Sequence, residues 1–231
     1  MQACEAWLVD EVRKAIEEFS EYGTQRITVV LRRRHQKLFN LGILWPNRIL
    51  QLLARWAYVM SKCIWIINEY AGSIYHGMEF RHYYLAIRLQ ELGYRVVIIS
   101  GSYSHLYQKQ PDCKSIVEHE VIDGIDYYWI RVINYGASTS KKRILKWFQF
   151  SSKLFLLGFI NIQKPDYILL SPMATLPVVP GYLLAKLKKS KFLIEIKDIW
   201  PLTLMEIGGY SKHNPFIWTL RKFEVFGLTH A

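Results

Sequence analysis

The chain has 231 residues, of which 51% are apolar and 15% aromatic. That excludes an intrinsically disordered segment and leaves room for one large domain or two small ones. A net charge of +11 points to anionic partners: nucleic acid, anionic lipid or nucleotide phosphates. Cys4, Cys63 and Cys113 lie far apart and form no CxxC pair, which argues against a disulfide framework or zinc site and for a reducing compartment.

Residues 1–35 read as helical and polar. Trp7, Leu8, Val12, Ala15, Ile16 and Phe19 recur near a 3.6 period, and Gly23 separates a second helical piece. Residues 36–59 have no clean period and are interrupted by Pro46 and Asn47, so they read as a junction. The most apolar long stretch, 41–60, contains Arg48 and Arg55, and no membrane span is expected there. The first residues also lack the charged, apolar, small-residue order of a signal peptide.

From Cys63 onward strands and helices alternate. A strand at 63–68 leads to a helix at 77–92, and "GYRVVIIS" (93–100) is a β-branched run suited to a buried parallel strand. Residues 115–132 read as two strands around Asp123–Gly124, a hairpin signal. A helix at 140–163, a strand at 166–171, a helix at 175–188 and a strand at 191–197 follow. A loop with a short helix spans 198–209, and a last helix spans 213–227. The expected fold from 60 to 231 is therefore α/β: a Rossmann-like parallel sheet with helices on both faces, preceded by a short helical extension.

In such sheets ligands bind beyond the carboxyl ends of the strands. In the first loop, Gly72 and Gly77 allow a close backbone approach. A helix starting near Gly77 would aim free N–H groups at an anion, with His76 beside it. The same residues also suit a plain turn whose histidine caps the helix. Glu195, Lys197 and Asp198 cluster at the end of a buried strand and need partners or water. Asp198 is a candidate base or orienting group, or else a helix cap. Trp200 suits a sugar face or the core. Ser171 and His105 lie on the remaining loops. Ten basic residues and one acid, Asp166, fall between Lys141 and Lys191. The "KKRILKWFQFSSKLFLLGFI" segment (141–160) has the basic and aromatic profile of an interfacial membrane contact. It equally fits a crossover helix with a wide buried face and an exposed basic end.

Taken in order, "NEYAGSIYHGMEFRHYYLA" (68–86), "GYRVVIISGSYSHL" (93–106), "EVIDGIDYYWIRV" (120–132), "KPDYILLSP" (164–172) and "EIKDIWPLTLMEIGGYSKHNPFI" (195–217) resemble the N-terminal domain of a glycosyltransferase family 4 enzyme. The subgroup that these motifs resemble is the fucosamine-transferase-like enzymes of surface polysaccharide, lipopolysaccharide or capsule synthesis. The resemblance implies a GT-B enzyme that retains anomeric configuration. It would use no metal or resident cofactor, only a nucleotide-sugar as co-substrate. The acceptor would be a polyprenyl-diphosphate-linked sugar at the cytoplasmic side of the inner membrane, a peripheral location. It assigns Gly72, His76 and Gly77 to the loop facing the donor phosphates. The family's "RDLWP"-type motif maps onto Lys197, Asp198, Trp200 and Pro201. Lys197 stands where arginine is usual, keeping the charge without the bidentate fork. Met173 stands where many relatives carry histidine. Asp198 and His76 are thus the catalytic candidates, with Gly72, Gly77, Lys197, Trp200, Ser171 and His105 as substrate-binding candidates.

Relatives continue into a donor domain, whereas this sequence ends at Ala231. The resemblance therefore implies an acceptor half that is inactive alone, with a separate donor-domain chain as candidate partner. Residues 1–35 resemble the helix-turn-helix part of integrase-type insertion-element transposases through Tyr22, Gly23, Arg26, Ile27, Leu31, Arg32 and Arg33. Nucleic-acid binding through Arg32 to Arg34 of that region and the basic 141–191 surface is the alternative function, although nucleic acid is not the expected partner.

Overall fold

A computed structural model of the protein describes residues 62–77, 79–136, 142–197, 199–206 and 208–231. The expected helical pair at 1–35, the junction at 36–59 and Asp198 lie outside the described residues.

Strands β1 (Cys63–Ile67) and β2 (Arg95–Gly101) form the centre of the sheet. Their β-branched runs are covered on both faces, as central parallel strands require. Cys63, Trp65, Ile67, Val97 and Ile99 belong to one core layer. Ile66, Val96 and Ile98, one residue out of phase, belong to the other. Outward from β2 come β4 (Ile125–Ile130) and β3 (Val117–Ile122). Outward from β1 come β5 (Tyr167–Leu170) and β6 (Lys191–Ile194). The sheet order is β3-β4-β2-β1-β5-β6.

Every strand pair is parallel except β3 with β4. That hairpin turns at Asp123 and Gly124, whose φ values of 50° and 77° are the paired positive angles of a tight two-residue turn. Sequence expectation and structure agree on this fold class. The strand order reverses between β1 and β5, so a ligand crevice is expected above those two strands.

Helix α1 (Arg81–Glu91) covers one face with Tyr83 and Ala86. Helix α2 (Lys142–Lys153), its 3-10 continuation (Leu154–Gly158) and α3 (Val178–Lys188) cover the other. A short α4 (Leu202–Glu206) precedes α5 (Pro215–His230). Asn214 caps α5, its side chain accepting from the Phe216 N–H at 2.9 Å, and Pro215 takes the first helical position.

Two expected boundaries move by four residues or more. The long helix at 140–163 divides, because its last turn tightens to let Gly158 lie against α3. A Cβ on Gly158 would come within 2.6 Å of Leu187 Cδ2. The helix expected from Gly77 begins instead at Arg81, after a turn closed by Gly77 N–H donating to the Ser73 carbonyl at 3.0 Å.

Gly101, at the carboxyl end of β2, is held by close approach. A Cβ there would sit 2.9 Å from the Glu69 carbonyl oxygen and 3.4 Å from Lys146 Cε. Gly101→Ala is therefore expected to lower stability in urea by about 1–3 kcal/mol. A midpoint unchanged from wild type would show that the β1 loop yields freely.

Candidate functional site

The first loop, 68–77, is tied down by its own side chains. Asn68 accepts the Tyr70 N–H at 2.7 Å and donates to the Ser171 carbonyl at 2.5 Å, so it bridges the β1–β5 crevice. The Gly72 carbonyl accepts from Tyr127 Oη at 3.1 Å. Gly77 has φ of +90°, and a Cβ there would meet Gln108 N at 3.0 Å. His76 is buried between Ser73 Oγ, 2.9 Å from its Nδ1, and Glu120, 3.6 Å from its Nε2. Its ring lies 4.9 Å from Trp129. Burial pushes its pKa down, against the opposing pull of Glu120. Gly72, His76 and Gly77 are thus occupied in packing this loop on β4 and on 104–110. No helix N-terminus stands at Gly77, which corrects the expected geometry of a helix-end phosphate cradle there.

A denser polar cluster lies at the carboxyl edge of β5 and β6. Glu195, one residue beyond β6, accepts the Ser171 hydroxyl at 2.6 Å. The same carboxylate oxygen lies 3.3 Å from His82 Nε2, and the other pairs with the Arg81 guanidinium. Burial alone would raise the Glu195 pKa. The Ser171 hydrogen bond, the Arg81 charge and His82 outweigh it and hold the carboxyl below its usual value.

His82 is fully buried, and burial together with Lys197 depresses its pKa to about 4 despite Glu195. It is neutral at pH 7, with Nε2–H donating to Glu195. Its Nδ1 is buried with no hydrogen-bond partner among the described residues. Lys197 pairs with Glu79 at 2.8 Å. A cavity of about 40 Å³ lies beside this cluster, lined in part by Met173, Thr175, Glu195, Lys197 and Trp200. Among the described residues, no three His, Cys, Asp or Glu side chains are grouped as metal ligands.

A second cluster lies on the α2 side of β1. Lys146 is fully buried and donates to the Glu69 carbonyl at 3.2 Å, its Nζ 3.5 Å from the centroid of the Tyr70 ring. Glu69 is also fully buried, and neither carboxylate oxygen has a hydrogen-bond partner among the described residues. Burial raises the Glu69 pKa and lowers that of Lys146, each opposed by the other's charge. Trp147 Nε1 and Arg143 Nε both donate to Tyr70 Oη, at 3.0 and 3.2 Å. The basic start of α2 therefore turns partly inward, against the expectation of an exposed basic end. The charges of Arg143 and Lys146 serve the β1 loop.

His105 lies near this cluster, its Nδ1 2.6 Å from Tyr135 Oη. Burial and the charges of Arg143 and Lys146 lower its pKa. Trp200 fills the core. It is buried with Ala174, Leu176 and Leu220, and meets Trp147 edge-on at 5.6 Å.

Ser171 and Lys197 therefore share one edge of the sheet with Glu195, while His76 and His105 belong to other surroundings. Sequence reasoning missed Glu69, Glu79, Arg81, His82 and Lys146. Glu69 offered a signal, a charged residue immediately after a buried strand. His82 and Lys146 were hidden inside amphipathic helix patterns. No protein-family model matches this sequence, and no curated protein gives a significant match.

Proposed function

We propose that this chain supplies the acceptor-binding half of a retaining, nucleotide-sugar-dependent glycosyltransferase of surface-polysaccharide synthesis, working at a membrane surface. The observation that carries the reading is the convergence of Ser171, Glu195 and Lys197, from two of the resembling motifs, with Arg81 and His82 from a third. They meet at the carboxyl edge of a doubly wound sheet, where such folds bind ligands. Paired acids and bases with a serine and a neutral imidazole offer both donors and acceptors to sugar hydroxyls.

The membrane part has separate support. Leu145, Phe148, Phe155, Leu156 and Phe159 are exposed along one side of α2 and its 3-10 continuation, Phe159 at 85%. Lys142 is exposed at the start of the same stretch, and basic and apolar exposure together suit an anionic lipid interface. Among the described residues no helix is long and apolar enough to cross a membrane.

Flotation with anionic vesicles tests both parts. Full-length protein is expected to co-float, more strongly when the vesicles carry a polyprenyl-diphosphate-linked sugar. Phe155→Glu with Phe159→Glu is expected to weaken binding about tenfold or more. Equal flotation with and without the lipid-linked sugar would overturn the acceptor assignment. Equal flotation of wild type and variant would overturn the membrane face.

A further inference from the structure

We infer that Arg81, His82 and Ser171 form an oxyanion-binding site, occupied in this conformation by the chain's own Glu195, and that a phosphate-bearing ligand takes the same place when that side chain leaves. Three donors of different kinds converge on one carboxylate: a guanidinium, a hydroxyl at 2.6 Å and an imidazole N–H at 3.3 Å. They come from the start of α1 and the end of β5, while the carboxylate comes from beyond β6. A phosphate group presents several acceptor oxygens to such a set and matches the guanidinium fork as a carboxylate does.

The site is built on one side and open on the other. Ser171 and His82 are buried and fixed by the sheet and helix, whereas the Arg81 side chain is 61% exposed. An incoming anion can therefore reach the guanidinium first. Glu195 also has somewhere to go, because it borders the cavity of about 40 Å³ lined by Met173, Thr175 and Lys197. That volume suits a carboxylate-sized group. These donors stabilise negative charge, holding Glu195 ionised against its burial. Oxyanion binding here does not depend on glycosyl transfer.

Titration calorimetry of the full chain with inorganic pyrophosphate tests the inference. Glu195→Ala is expected to bind pyrophosphate at least about tenfold more tightly than wild type. The double variant Arg81→Ala/Glu195→Ala is expected to lose that gain. Each variant is first checked by circular dichroism and thermal melting. Should Glu195→Ala fail to fold, Glu195→Gln, which keeps an acceptor for Ser171 and His82, is expected to show a smaller gain of the same sign. No gain in any folded Glu195 variant, or a gain that survives loss of Arg81, would overturn the inference and leave the network purely structural. Competition by UDP or by geranyl diphosphate then distinguishes a nucleotide from a lipid source of the phosphate. The titration contains no membrane and no sugar, so its failure is separable from failure of the acceptor assignment.

Discussion

Lys146→Met is expected to destabilise the protein by about 2–3 kcal/mol at pH 7, the upper part of the range for leaving buried polar groups unsatisfied, because the Glu69 main-chain carbonyl loses its donor and the Glu69 carboxyl loses a nearby positive charge. The Lys146 ammonium is fully buried beside Tyr70, and its charge is the largest opposing influence on the buried Glu69 carboxylate. The carboxylate oxygens have no hydrogen-bond partner among the described residues even with Lys146 in place, so the ammonium acts on them through its charge alone. Without that charge Glu69 must take up a proton or expose itself, and either response costs stability. Arg143 also acts on Glu69, though less strongly, so it offsets part of the loss. Replacing both members, Glu69→Gln with Lys146→Met, removes the two charges together and is expected to recover most of the stability. A urea double-mutant cycle measures this directly. An additive double variant, or a Lys146→Met protein within about 1 kcal/mol of wild type, would show that the pair is not coupled.

The same pair marks where sequence reasoning reaches its limit. Strands β1 and β2 are legible because Ile64 to Ile67 and Val96 to Ile99 are apolar without interruption, and only a strand buried on both faces needs that. The β3–β4 hairpin is legible because Asp123–Gly124 supplies the two positive φ angles of its turn. The start of α1 is misread by four residues because Gly77 looks like a helix boundary. In fact its backbone closes a turn on Ser73 and packs against Gln108.

The site is only partly legible for a different reason. Ser171 and Lys197 stand at strand ends and can be nominated from topology alone. What they touch depends on the arrangement of distant elements. Glu69 and Lys146 are 77 residues apart, and His82 and Glu195 are 113 apart. A helical pattern shows which face of α1 or α2 is apolar, but not that a buried polar residue on that face meets a particular acid on the sheet. His76 illustrates the converse. Its loop position suggests a ligand, yet Trp129 and Tyr107, both far along the chain, make it part of the core.

Lowering the pH from 6.5 to 4 is expected to remove about 3 kcal/mol of stability through His82 alone. In the unfolded chain this imidazole protonates near its ordinary value of 6.5, whereas burial in the folded protein lowers that to about 4. Between those values the unfolded state binds a proton that the native state does not, so acidification favours unfolding. Below the folded value both states are protonated and the His82 contribution levels off. His76 and His105 are also depressed by burial, so the wild-type slope contains their shares as well.

Glu195 acts lower on the pH scale. Its carboxyl is held below the ordinary 4.5, so its contribution is intact above that value and is lost only as pH falls through the folded pKa. His82→Gln keeps an N–H donor for Glu195 and removes the titrating group. It is expected to flatten the stability-against-pH curve between 6.5 and 4 while leaving the more acidic limb in place. Urea midpoints at half-unit pH intervals for wild type and His82→Gln give the difference. Parallel curves through that window would show that His82 titrates in the folded protein as it does in the unfolded chain, and would overturn its assignment as an imidazole kept neutral by burial.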